Sequence, residues 1–343
     1  MKRTVTLLVA PCLALLAVAL AATPALTARA EAADRIKIGV VKVAANGPNF
    51  IAKDRGYFAA EGIDAEILPF DSAEPITVAI VSGDIDFGAT GPGAAFYNLA
   101  GQNKIRIISG LARDVPGFPV FSFVVSNLAY DAGFKTYAAL GGHSISTTQV
   151  GAPSHYAINL IEQKFNVDPK TVRVVPLQSL PNQVSATAGG QVDAGIILAT
   201  VATPAINRGA LKLVGYVGDV TPIQTGALFT SGKHADQDQD LVLRFLRAFH
   251  KGALDYHNAF VGPDEKRRDG PEAGAILDII SKYVGQSPEQ LRAGISYIDA
   301  QATLDVTDIQ HQLAWFKAQG MVKPEVRDDQ VYDKRYVIPL AAQ

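Results

Sequence analysis

The sequence predicts an α/β protein made of two similar lobes joined by two chain crossings. Three observations carry this. Strand-like and helix-like segments alternate from residue 36 onward. The unit Ser82 to Gly93, read SGDIDFGATGPG, recurs at Val184 to Ile197, read VSATAGGQVDAGII, with Gly190-Gln191-Val192-Asp193 in the place of Gly83-Asp84-Ile85-Asp86. Irregular stretches separate the two series. The chain has 343 residues, 48% of them hydrophobic, enough for two domains of ordinary size with filled cores.

The first element is a leader. Lys2 and Arg3 precede an apolar stretch, Leu7 to Ala22, which Pro11 interrupts and which falls short of the ~20 residues of a spanning helix. Small-residue cleavage sites follow at Ala28-Arg29-Ala30 and Ala30-Glu31-Ala32. Together they read as a secretory signal peptide over residues 1–32, so the mature protein is expected in the periplasm. The single cysteine, Cys12, lies in that segment behind Pro11, where a lipoprotein signal carries a small residue. No lipid anchor, and no thiol in the mature chain, is therefore expected. A net charge of −2 gives no attraction to nucleic acid.

Ile36 to Val43 alternates and is β-branched, as a strand does, and ends in the loop Ala44 to Asn49. Phe50 to Tyr57 reads as a helix closed at Gly56, and Ala65 to Phe70 as the second strand. Asp71-Ser72 precede a helix with Pro75 in its first turn, where a missing N–H is tolerated. Gly83 is placed as that helix's C-terminal glycine, and Ile85 to Ala89 is the third strand. Ala94 to Ala100 is a short helix, Ile105 to Leu111 a strand, Arg113 to Pro119 irregular, and Val120 to Val125 a strand. The first crossing is placed near Ser126.

The second series runs through strand His143 to Thr147, loop Thr148 to Pro153, helix Ser154 to Phe165, strand Val172 to Pro176, loop Gln178 to Asn182 and helix Asn182 to Ala188, into the repeated unit. Leu211 to Val217 returns the chain and Gly218 to Pro222 is the second crossing. Lobe one thus takes residues 33–125 and 222–343, and lobe two residues 126–221. From Asp240 the chain turns helical. Leu241, Phe245, Ala248 and Phe249 share one face, Ala275, Ile279 and Ile280 another, with a loop over 262–272 and a last helix over Val306 to Gln319. These helices are expected on lobe one, away from the cleft.

Catalytic groupings fail on composition. The six histidines form no metal-ligand spacing, and Gly91-Pro92-Gly93 opens a dinucleotide fingerprint that Phe96 breaks at the third glycine position. No cofactor and no metal is expected. Asp86 and Asp193 hold equivalent places, and an aspartate after a tight turn is better read as satisfying backbone N–H groups than as half of a carboxylate pair. Ser154 and His155 are adjacent on a helix and point about 100° apart, which rules against a nucleophile and base. What remains are the loops after strands: Asn46 to Asn49, Asp71-Ser72, Thr90-Gly91, Gly151 to His155, Gln178 to Asn182 and Ala199-Thr200. Several lead into helix N-termini, whose free N–H groups and positive dipole end favour an anion. Arg113 follows a lobe-one strand near the hinge and is the candidate for a charge-assisted contact with it.

Gly39 to Pro48, Gly56-Tyr57-Phe58-x-x-Glu61-Gly62-Ile63, Phe70-Asp71-Ser72, Gly83-Asp84-Ile85-Asp86-Phe87-Gly88-x-Thr90-Gly91, Gly151-x-x-Ser154-His155-Tyr156 and Gly190-Gln191-Val192-Asp193-Ala194 together resemble the extracytoplasmic solute-binding proteins of ABC transporters, of the nitrate/sulfonate/taurine type. The resemblance spans Asp34 to about Gly218 and, loosely, Trp315 to Gly320. It implies a type II periplasmic-binding-protein fold, acting as a monomer, that closes on a small organic anion and delivers it to a membrane permease. Carried over by motif, Asn46, Asn49, Ser72, Thr90 and Gly91 supply contacts from lobe one, and Gly151, Ser154 and His155, the last a neutral donor, from lobe two. Ala152 and Leu198-Ala199-Thr200 depart from the sulfonate-binder pattern. The departure removes a hydroxyl at 152 and leaves room for a larger, aromatic sulfonate or carboxylate lined by Phe50, Phe96, Tyr97, Phe118 and Tyr156. Three other readings stay open. One is a carrier of a neutral heterocycle such as a thiamine-type pyrimidine, using Asp71 and Asp86, and another is a ligand sensor. The third is an enzyme on the same fold, which the missing cysteine disfavours.

Overall fold

The computed structural model describes residues 33–341, with Met1. The signal-peptide reading and Cys12 lie outside the described residues. Among the described residues no helix is long and apolar enough to cross a membrane.

The first lobe alternates β1 (Asp34–Val41), α1 (Gly47–Asp54), α2 (Tyr57–Ala60), β2 (Ile63–Phe70), α3 (Ala73–Ser82), β3 (Phe87–Thr90), α4 (Ala94–Gly101) and β4 (Ile105–Gly110). The chain crosses through β5 (Ala112–Asp114). The second lobe holds β6 (Phe121–Ser126), α5 (Asn127–Asp131), β7 (Ser144–Thr147), α6 (Pro153–Lys164), β8 (Arg173–Pro176), α7 (Leu180–Ala188), β9 (Ala194–Leu198), α8 (Ala199–Asn207) and β10 (Leu211–Tyr216). After the return crossing through β11 (Ile223–Gln224) come β12 (Ala227–Ser231), α9 (Gly232–Gln237), α10 (Gln239–Phe260), α11 (Ala273–Val284), α12 (Pro288–Arg292), β13 (Tyr297–Ile298), α13 (Val306–Ala318) and α14 (Asp328–Val331).

The two large sheets repeat one arrangement. Their orders are β2-β1-β3-β12-β4 and β8-β7-β9-β6-β10, and in each the fourth strand alone runs against its neighbours. Each lobe is therefore completed by the strand next to a crossing. The β3 strand is buried along its length, as parallel strands covered by helices on both faces are. Phe87 on β3 stacks on Phe245 of α10 with ring centroids 3.8 Å apart, which fixes that helix to the first sheet.

The duplicated unit explains its aspartates. Asp86 accepts the Lys37 N–H at 2.7 Å and Asp193 accepts the Ser144 N–H at 2.8 Å, both across 49 residues of sequence. Each carboxylate thus holds a neighbouring parallel strand of its own sheet, β1 in the first lobe and β7 in the second. Asp193 also accepts the Ser144 hydroxyl at 2.7 Å. Gly83 closes α3 in the left-handed conformation at φ 82°, the place read for it in the sequence.

A third sheet, β11-β5-β13, joins the crossings, and Asp114 organises it. Its carboxylate accepts the Val120 and Phe121 N–H groups at 3.0 and 2.9 Å, pinning the first crossing where it enters the second lobe. Burial pushes Asp114 up to about 7, against the pull of those donors. Asp308 on α13 makes the other tie. It accepts the Gln224 N–H of the second crossing at 2.8 Å, the Gln312 amide at 2.8 Å and the Tyr156 hydroxyl of α6 at 3.3 Å.

Several expectations are corrected here. The strand at 120–125, assigned to lobe one, is β6 and lies inside the second sheet between β9 and β10. A strand buried on both faces carries no sequence mark of which sheet it joins. Arg113 and Asp114, read as irregular, lie in β5. The β12 strand, central to the first sheet, falls where the sequence reading assigned no element. The C-terminal helices are not confined to lobe one: α12 packs on α8 and α13 on both α4 and α6. On α11 the buried face is Ala273, Ile276, Leu277, Ile280 and Val284, while Ala275 is exposed.

The aspartate clamp is testable through pH. Burial raises the Asp193 carboxyl, but the Ser144 N–H and hydroxyl and then His143 outweigh it and hold the group below its usual 3.8. Its stabilisation is therefore complete above that value and is lost as pH falls through the lower folded value. Asp193→Ala should cost about 1–3 kcal/mol at pH 7 in urea unfolding, with the gap to wild type closing toward pH 3. A gap that does not change with pH would show that the charge contributes nothing.

Candidate functional site

Between the lobes lies a cavity of about 70 Å³. Val41, Ser72, Ala73, Thr90 and Gly91 line it from the first lobe, and Thr225 from the second crossing. The second lobe contributes Phe121, Thr148, Pro153, Ser154, Leu180, Gln183, Ile196 and Leu198. The α/β layout dictates these positions. Val41, Thr90 and Leu198 end parallel strands and Thr148 follows one, so each sheet presents its carboxyl edge to the cavity. Ser72, Pro153 and Leu180 stand at the starts of α3, α6 and α7, so the unpaired N–H groups of three helix N-termini gather there.

Two N-cap serines show how the wall is specialised. Ser179 spends its hydroxyl on its own helix, accepting the Asn182 N–H at 3.3 Å. Ser72 makes no such cap bond, is nearly buried, and lines the cavity. Ser154 lies 2.6 Å from the Thr147 hydroxyl, which orients it. Every polar side chain on the lining is uncharged: Ser72, Thr90, Thr148, Ser154, Gln183 and Thr225.

Of the residues singled out in the sequence, Ser72, Thr90, Gly91 and Ser154 come together on this cavity, and Gly151 lines a smaller hollow of about 40 Å³ that shares Gly91 and Pro153 with it. The others stand elsewhere. Asn46 is buried behind the wall, donating from Nδ2 to the Val41 carbonyl at 2.8 Å. Asn49 is fully buried on α1, and Asp71 is exposed. Arg113 belongs to the crossing sheet, 3.7 Å from Asp305 and over the Tyr297 ring. Thr200 is buried against Gly294, its carbonyl accepting the Gln286 amide at 3.0 Å. His155 supports the loop and does not line the cavity: its Nδ1 accepts the Gly151 N–H at 3.1 Å, which leaves the proton of the neutral ring on Nε2. Phe50, Phe96, Tyr97, Phe118 and Tyr156 do not line the cavity, and Phe121 is the one aromatic on its wall. Sequence reasoning missed Phe121, Gln183 and Thr225 as site residues. Only Gln183 carried a signal, a polar residue on the buried face of a short helix beside Leu180 and Thr187.

The lobes meet along a seam of small residues. The Ala94 N–H at the start of α4 donates to the Gly151 carbonyl at 2.8 Å, so one lobe's helix end is satisfied by the other lobe's loop. Gly151 has φ 86°, a left-handed conformation that favours glycine. A Cβ at Gly91 would stand 2.5 Å from the Thr225 carbonyl oxygen and 2.7 Å from Pro153 Cγ.

Two lobes of this topology, hinged by two crossings and closing over a cavity at their strand ends, define the periplasmic-binding-protein fold. The chain belongs to the NMT1/THI5-like family, whose pattern matches residues 45–265. It is 28% identical over 144 residues to a putative binding protein of Brucella abortus, which is 42% of this chain and 41% of that protein, so it spans about two fifths of that relative's length. It is 24% identical over 234 residues, 61% of each chain, to the 4-amino-5-hydroxymethyl-2-methylpyrimidine phosphate synthase of Schizosaccharomyces pombe. Among solved structures, the alkanesulfonate-binding protein SsuA of Xanthomonas axonopodis pv. citri bound to MOPS superposes with a TM-score of 0.68 at 18% identity, over 87% of this chain and 98% of that one.

The seam predicts that Gly91→Ala destabilises the protein by about 1–3 kcal/mol in urea, because backbone oxygen cannot move aside as a side chain can. Gly274, on α11 with open space around its Cβ position, is the control that should tolerate alanine. Equal behaviour of the two variants would remove the seam's steric role. The loop contact has an optical readout, since the ring of His155 lies 5.2 Å edge-on to Trp315, the chain's single tryptophan. Burial lowers the His155 pKa below its usual 6.5, so the neutral form stabilises the fold and that stability is lost as pH falls below 6.5. Trp315 emission should drop on acidification with a midpoint below 6.5, and His155→Gln should abolish the step.

Proposed function

We propose that this protein is the periplasmic solute-binding component of an ABC importer, exported by its signal peptide and acting as a monomer. It captures a small organic anion, a sulfonate or carboxylate, in the cavity between its lobes and presents it to a membrane permease. One observation carries the reading: three helix N-termini and neutral hydroxyls converge on the cavity, and among the described residues no carboxylate lines it. An anion placed there meets N–H and O–H donors and the positive ends of helix dipoles, with no carboxylate on the lining itself. Val41, Phe121, Leu180, Ile196 and Leu198 supply an apolar wall for the organic part. Ser72, Thr90, Gly91 and Ser154, which the cavity brings together, are the contacts we assign.

A pyrimidine carrier is the second reading, favoured by the relationship to the fission-yeast synthase. As read from the sequence, it would turn carboxylates toward the amino groups, and the two proposed for it stand elsewhere. Asp71 is exposed and Asp86 is committed to the Lys37 N–H. A thermal-shift panel of sulfonates, carboxylates, nitrate and pyrimidines decides between the readings. A ligand at 100 times its Kd stabilises by about 2.7 kcal/mol. We expect small organic anions to raise the melting point and Ser154→Ala to weaken them by about 1.5–3 kcal/mol, the range for hydrogen bonds to charged groups. Shifts from pyrimidines alone would overturn the anion reading.

A further inference from the structure

The wall of the cavity contains one buried amide with an end left over. Gln183 sits on α7, fully buried, and lines the cavity beside Leu180 and Ile196. Its Nε2 donates to the Ile196 carbonyl on β9 at 3.3 Å and to Ser146 Oγ on β7 at 3.4 Å. A backbone carbonyl only accepts, so the atom facing it must be the amide nitrogen, and this fixes the orientation of the group. The other end, Oε1, is buried and has no hydrogen-bond partner in the protein.

Neither neighbouring hydroxyl bonds to it: Ser154 lies 2.6 Å from the Thr147 hydroxyl, and Thr225 donates to the Ala112 carbonyl at 3.1 Å. Nor does the fold require an amide here. In the first lobe the residue four places after the N-cap serine of α3 is Ile76, fully buried, whereas four places after the N-cap serine of α7 stands Gln183. One copy of the duplicated unit fills this core position with hydrocarbon. The other fills it with a polar group that is half satisfied by its own sheet, an arrangement that disfavours the empty protein unless something supplies a donor.

We infer that the bound solute supplies it: Gln183 Oε1 accepts a hydrogen bond from a hydroxyl or amino group on the solute and makes this protein selective for small anions that carry such a donor. The inference rests on the anion reading proposed above. The anionic group meets the donors at Ser72 and the helix starts, and the solute's own donor meets Gln183. Ser146, which also lies 3.3 Å from the Thr187 hydroxyl, positions the amide without touching the solute.

The test is calorimetric titration of two matched pairs in which a hydroxyl replaces a methyl group: 2-hydroxyethanesulfonate against propane-1-sulfonate, and 3-hydroxypropanoate against butanoate. Wild type should bind the hydroxyl member of the pair about tenfold more tightly, the factor that one such hydrogen bond represents. Gln183→Met, close in volume and without the acceptor, should bring the two members within about twofold. Equal binding of a pair by wild type, or a preference that survives in Gln183→Met, overturns the inference and leaves the anion reading standing. The wild-type comparison decides even if the variant does not fold. If no member of either pair binds, the anion reading fails and this inference with it.

Discussion

One buried carboxylate, Asp308, ties the two lobes and the crossings between them together. Asp308 receives the second crossing through Gln224, the second lobe through Tyr156 and its own helix through Gln312. Gln312 in turn accepts the Tyr97 hydroxyl of the first lobe at 3.1 Å, and Gln224 donates to the Ala112 carbonyl of the first crossing at 3.2 Å. Five parts of the chain therefore share one polar network in a place from which water is excluded. Burial raises the Asp308 pKa, and its amide and hydroxyl donors oppose that shift. A network of this kind is stabilising only when complete, so it specifies a particular lobe arrangement more sharply than hydrocarbon packing would.

Duplication supplies the scaffold, and the differences between copies supply the site. Strand order, antiparallel fourth strand and aspartate clamp occur in both lobes at matching positions. The residues facing the cavity break the match: the N-cap serine is free in α3 and engaged in α7, and the position four residues later is apolar in one and an amide in the other. Even the clamps differ outside the shared bond, Asp86 facing His234 and Asp193 facing His143. A two-lobed fold tolerates this because each sheet is stabilised by its own core, leaving the strand ends free to vary.

The long C-terminal segment has a second role that its sequence conceals. Its apolar faces read as cover for one sheet, and α10 does cover the first lobe. Further on, Trp315 and Phe316 of α13 pack on Tyr156 of the second lobe while Phe316 also meets Tyr97 of the first. A helix that packs on both lobes limits how far they can part.

The sequence alone determined the local elements, the internal repeat and the structural role of Asp86 and Asp193, because hydrophobic period, Gly placement and turn chemistry act over a few residues. It also determined that Ser72, Thr90, Gly91 and Ser154 lie at strand and helix ends, which in this architecture face one place. Tertiary structure decided the rest. Whether β6 joins the first or second sheet, and that β12 is a strand at all, depends on pairing partners far away in the chain. Arg113 looked available for an anion until Asp305 and Tyr297 were brought beside it. Gln183 showed in the sequence only as a polar residue on a short helix, and its role was decided when the sheet engaged its nitrogen and left its oxygen unpaired. These are contacts between residues distant in sequence, and no local pattern encodes them.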